Sequence, residues 1–150
     1  MKKIFFILFL VFLSNVNAQI CPLKNGVIHE RASPQLFSMG DPDGLVEIQS
    51  EFPEVYSVSA GKIVSIISIP EGKKAILVKM DNVEQKDYFY VYSGLEKINF
   101  KKGDSVHEND VLGQLKNKEK KYQLRFEFYE GSKKSDSKNR IQCKISRSYQ

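Results

Sequence analysis

Along this chain apolar residues recur at every second position far more than at every third or fourth. The clearest case is Tyr122-Gln123-Leu124-Arg125-Phe126-Glu127-Phe128. Leu124, Phe126 and Phe128 fall on one face there, and Gln123, Arg125 and Glu127 on the other, the period of a half-buried strand. Residues 55–59 read as a short strand, and the β-branched run 62–69 as a longer one ending at a Pro70-Glu71-Gly72-Lys73 turn. Residues 75–81 return antiparallel as the second arm of a hairpin. In 87–93, Tyr88, Tyr90 and Tyr92 alternate with Phe89 and Val91. The pairs Gly103-Asp104 and Asn109-Asp110 are turns bracketing a very short strand, 111–115 begins another, and the last firm strand is 122–130, with a fainter one at 141–145. No segment from Gln19 onward keeps a helical apolar period over three turns. The expected class is all-β, with short strands and frequent turns forming a barrel or sandwich.

The two flanks read differently. Lys2 and Lys3, the apolar run 4–13 and the small-residue site Val16-Asn17-Ala18 give 1–18 the form of a secretory signal. That apolar run falls short of the roughly 20 residues a membrane-spanning helix needs. Pro22, Pro34, Pro42 and Pro53 break 19–54, so it reads as an irregular arm against the β domain, expected at 55–130. Residues 131–150 read as a basic tail carrying Lys133, Lys134, Lys138, Arg140, Lys144 and Arg147 against Asp136 alone. Such a run is either a solvated end or an attraction to an anionic polymer or membrane surface.

The formal charge is +5, and two of those charges leave with the signal. The remaining excess is mild and carries no recognisable nucleic-acid motif, so no nucleic-acid partner is expected. Cys21 and Cys143 sit near opposite ends of the exported segment. They either pair as a disulfide, which export permits, or stand as separate thiols. With no histidine beside them they make a poor zinc site. The tyrosine row is open to two readings, a ligand-stacking platform of Tyr88, Tyr90 and Tyr92 or an ordinary half-buried face with wet hydroxyls.

Four segments, in order and at fitting spacing over some 75 residues, resemble the LytM or lysostaphin-type zinc peptidases that cut peptidoglycan cross-bridges. Val55-Tyr56-Ser57-Val58-Ser59-Ala60-Gly61-Lys62-Ile63-Val64 is similar to that family's "pVyAaadGvV", and Tyr92-Ser93-Gly94-Leu95-Glu96-Lys97-Ile98 to its "YaHLskI". Lys102-Gly103-Asp104-Ser105-Val106 through Val111-Leu112-Gly113 is similar to "vGqkVkaGqviG", and Gln123-Leu124-Arg125-Phe126-Glu127 to "HLHFE". The resemblance implies the duplicated-hybrid-motif β fold with a groove. It also implies a zinc held by a histidine and an aspartate from one segment and by the second histidine of "HLH", with two further histidines assisting. The matching positions are Asp43, Glu47 and Arg125 for the ligands, and Gly94 and Gln123 for the assistants. None of the five is a histidine.

Hydrolytic zinc takes about three N, O or S ligands plus a water. Arg125 has no lone pair to give and stays charged, so neither a metal nor any other cofactor is expected. Arg125 either replaces the metal electrostatically by pairing with Glu47 or Asp43, or pairs only with its surface neighbours. The expected location is secreted or periplasmic, and the expected function is that of a secreted, non-catalytic domain that binds peptidoglycan or regulates a cell-wall hydrolase. One alternative keeps a metallopeptidase with an unusual set such as Asp43, Glu47 and His29. Another is a biotinyl- or lipoyl-like carrier with Lys79 as acceptor. His107 reads as an exposed turn residue.

Overall fold

A computed structural model describes residues 20–31, 45–81 and 86–148; the expected signal and Asp43 lie outside these. Twelve strands run through the described residues. In chain order they are β1 (Val27–Arg31), β2 (Leu45–Ser50), β3 (Glu54–Tyr56), β4 (Gly61–Ile69), β5 (Lys73–Met80) and β6 (Tyr88–Ile98). They continue with β7 (Ser105–Val106), β8 (Val111–Leu115), β9 (Asn117–Lys118), β10 (Lys121–Glu130), β11 (Lys133–Ser135) and β12 (Lys144–Ser148). The main sheet has the order β12-β1-β2-β10-β6-β5-β4-β7, antiparallel except for the parallel β1–β12 pair. The class is all-β, as the alternation predicts.

The core is packed around the inward row of β10. Leu124, Phe126 and Phe128 are essentially inaccessible and pack with Ile48, Ile76, Val78 and Leu95 from neighbouring strands and with Leu23, Val55 and Leu112. Each such side chain contributes roughly 1.5–3 kcal/mol relative to exposure. The Pro70-containing turn joins β4 to β5 as expected. The two turn pairs are one device used twice. The Lys101 N–H donates to Asp104 Oδ2 and the His107 N–H to Asp110 Oδ2, both at 2.7 Å, as carboxylates of turn residues do.

Three expectations are corrected. Residues 19–54 are not merely an arm: β2 lies between β1 and β10 in the sheet. The prolines flank it, and Val46 and Ile48 supply two buried positions of a regular alternation. Residues 131–148 are not a solvated tail. The Phe128 N–H donates to the buried Ser137 Oγ at 2.7 Å, and the Arg140 guanidinium lies 4.4 Å from the Phe128 ring centre while pairing with Glu130 at 3.0 Å. A cation over an aromatic face is attractive where water is partly excluded.

The third correction concerns the tyrosines. Tyr90 and Tyr92 are 4% and 0% exposed and stand against Phe126 and Phe128 with ring centres 5.1–5.4 Å apart. They are core, not a stacking platform. Aromatic contacts of this kind add about 0.5–1.5 kcal/mol to simple burial, and that places the tyrosines rather than Phe89 and Val91 on the inner face. Tyr88 is half-buried and stacks on Phe128.

Cys21 and Cys143 are joined in a disulfide. The Lys144 N–H donates to the Gly26 carbonyl beside it, and the β1–β12 ladder begins at Val27 opposite Lys144. No described helix is long and apolar enough to cross a membrane.

Candidate functional site

The outward row of β10 opens onto a groove of about 600 Å³. Three neighbouring strands supply its floor: Glu47 from β2, Gln123 and Arg125 from β10, and Gly94 from β6. The tip of the β4–β5 hairpin raises one rim through Ile69, Pro70, Glu71 and Lys73, and Lys116 with Asn117 form another. The fold thus brings together four of the five positions singled out in the sequence.

Arg125 lies opposite Glu47 in one ladder and opposite Ser93 in the other. Its Nε is 3.9 Å from Glu47 Oε1, with the side chains 58% and 48% exposed. Glu47 is within pairing range, but beyond a direct hydrogen bond, and an exposed pair of this kind is worth about 0–1 kcal/mol. On the rim, Lys73 pairs with Glu71. The groove therefore holds three cations and two carboxylates, and one carboxylate is taken up on the rim.

Gly94 has φ +110°, and a Cβ built there would stand 3.1 Å from the Gln123 carbonyl oxygen. Side-chain-bearing residues rarely adopt that backbone conformation. The zinc that the resemblance implies finds no fitting donor set among these residues. Glu47 offers oxygens and Gln123 an amide oxygen, Gly94 offers no side chain, and Arg125 brings positive charge with no lone pair. Among the described residues no group of three His, Cys, Asp or Glu stands close enough to hold a metal.

The other candidates lie elsewhere. His29 lines a second concavity of about 260 Å³ with Gln49, Glu51 and Lys121, not the groove of Glu47. Gln49 of this second concavity and Gln123 of the groove face each other across the β2–β10 ladder. His107 is exposed in its turn, 3.5 Å from Asp110. Lys79 sits within β5 and pairs with Asp87 at 2.6 Å. A carrier lysine belongs at a hairpin tip, so the carrier reading is dropped. Farther along β10, the Tyr129 hydroxyl donates to Glu127 Oε2 at 2.6 Å, and that bond pushes its pKa up to about 12.

Sequence reasoning missed the rim. The turn at 70–73 was expected, but not its place beside the floor strands, and Lys116 and Asn117, just before β9 and at its start, carry no motif.

The profile of peptidase family M23 matches residues 44–137. A search of curated proteins by sequence found no match. Among solved structures, the chain is similar to a zinc-containing peptidase from Vibrio cholerae, with TM-score 0.58 and 19% identity over 80% of this chain and 38% of that one. It is also similar to the catalytic domain of the antimicrobial peptidase lysostaphin from Staphylococcus simulans, with TM-score 0.52 and 22% identity over 69% of this chain and 80% of that one. A third likeness is to Helicobacter pylori Csd3, with TM-score 0.59 and 19% identity over 89% of this chain and 35% of that one. At these identities the likeness is one of fold, and the chain spans well under two thirds of the Vibrio and Helicobacter proteins. The family profile covers every strand of the groove floor, from β2 through β6 to β10, and on that match the chain belongs to peptidase family M23.

Proposed function

We propose that this domain is a secreted, non-catalytic M23 module that binds peptidoglycan or regulates a cell-wall hydrolase. The observation that carries the reading is Arg125. On the correspondence drawn from the sequence, a guanidinium stands where the family places a metal-binding histidine, and it reaches toward Glu47, the counterpart of a second ligand. A fixed positive charge there repels a divalent ion and offers donors to a ligand instead. Gly94 strengthens the case, because the position matched to an assisting histidine has a backbone that disfavours any side chain. Secretion is supported by the signal-like 1–18 and agrees with the disulfide, which oxidising compartments maintain.

The test joins three measurements on the purified protein: metal content, clearing of a peptidoglycan suspension, and co-sedimentation with sacculi. We expect substoichiometric zinc, no clearing, and binding that weakens in Arg125→Ala. Stoichiometric zinc with clearing activity would overturn the non-catalytic part. Absence of co-sedimentation, together with no effect on a wall hydrolase assayed alongside, would overturn the wall-directed part.

A further inference from the structure

We infer that the groove is a carboxylate-recognition site, seating the free carboxylate of a short peptide on Arg125. The inference deepens the wall-binding reading and rests on it.

Arg125 carries five N–H donors in a planar fork that suits a carboxylate bidentately. Among the described residues its one ionic partner is Glu47, met at 3.9 Å through Nε, so most of that donor capacity is unspent. Lys116 adds a second cation on the rim, while Lys73 is engaged with Glu71. Three cations against two carboxylates leave a small positive excess, which fits one anionic group and not a polyanion.

The rest of the groove fits the remainder of a peptide. Gln123 presents its whole amide, and Asn117, whose Oδ1 already accepts from the Lys120 N–H at 3.0 Å, presents its amide N–H, for pairing with peptide N–H and C=O groups. Ile69 and Pro70 offer apolar contact to a small side chain. Gly94 lines the groove without a side chain to project into it. Glu47 is then an internal competitor for the guanidinium, and its charge sets how tightly an incoming carboxylate is held.

The experiment is an NMR titration of the ¹⁵N-labelled full chain, disulfide intact, with three probes. These are acetyl-Ala-Ala-Ala with a free α-carboxylate, its C-terminal amide, and acetyl-Ala-Glu-Ala-amide, which carries the carboxylate on a side chain. The free acid is expected to bind at least about tenfold more tightly than its amide, a difference of about 1.4 kcal/mol, with shifts at Gly94, Gln123 and Arg125. Arg125→Gln should remove that preference, and Glu47→Gln should raise affinity for the acid. Both substitutions are at half-exposed sites, so the fold tolerates them. Binding of the glutamate probe as tightly as the acid means that the site takes a carboxylate from a side chain or a chain end alike; binding as weakly as the amide assigns it to a chain end. Either result supports the inference. Equal binding of acid and amide, or a tenfold preference that survives Arg125→Gln, overturns it. Sacculus binding without acid preference sinks this inference alone, whereas acid preference with neither sacculus binding nor an effect on a wall hydrolase sinks the wall reading and leaves the site.

Discussion

The Tyr92 hydroxyl oxygen accepts a hydrogen bond from the backbone N–H of Val58, 3.1 Å away, inside the core. It ties β6 to the segment after β3, where no strand ladder supplies that N–H with a partner. Tyr92→Phe keeps the ring and leaves the buried N–H unpaired, which should cost about 1–3 kcal/mol. Urea denaturation reads the loss directly. Tyr88→Phe, at a half-buried position, should change stability by less than about 0.5 kcal/mol.

Burial also raises the pKa of Tyr92 and of Tyr90 above the ordinary tyrosine value, desolvation being the main cause for both. The unfolded chain therefore loses these protons first. Their contribution to stability is complete below about pH 10 and is lost as pH climbs toward the folded-state values. Urea midpoints measured from pH 8 to 12 should fall above pH 10, and Tyr92→Phe should show a shallower fall than the native chain.

The Arg125–Glu47 pair predicts the opposite kind of result. Because both side chains are half exposed, a double-mutant cycle with Arg125→Gln and Glu47→Gln should give a coupling below about 1 kcal/mol, shrinking with added salt. A coupling of several kcal/mol would mean that the pair serves the fold more than the groove.

Gly94→Ala tests the floor of the groove without touching its charges. A Cβ at φ +110° facing the Gln123 carbonyl should cost about 1–3 kcal/mol through backbone strain. Thermal unfolding of this variant beside Gly103→Ala separates strain from crowding, since Gly103 also has positive φ but has nothing within 4 Å of its added Cβ.

Reducing the Cys21–Cys143 bond, whose partners lie 122 positions apart, should lower stability by about 5 kcal/mol in the loop-entropy description. The difference between urea curves with and without reductant gives the value, and Cys21→Ser/Cys143→Ser should reproduce the reduced curve.

Much of this architecture was legible in the sequence where one face was plainly apolar. Leu124, Phe126 and Phe128 alternate with charged or amide side chains, so β10 declares both its period and its inner face. The stretch around Tyr90 declares only the period. Tyrosines alternate with Phe89 and Val91, either set can be buried, and contact with Phe126 and Phe128 decides. β2 was hidden because the prolines around it dominate the local signal, although Val46 and Ile48 already alternate with Glu47 and Gln49. The floor of the groove followed from matching motifs in register. Its rim depends on where hairpin tips come to rest in space, which no periodicity encodes.

Joining position 21 to position 143 turns nearly all of the folded chain into a single covalent ring. One cut by a protease anywhere between those positions opens the ring but releases no fragment, since both pieces stay linked through the sulfur bridge. A nicked molecule can thus unfold and refold as one unit, and on a gel it should separate into two bands only after reduction.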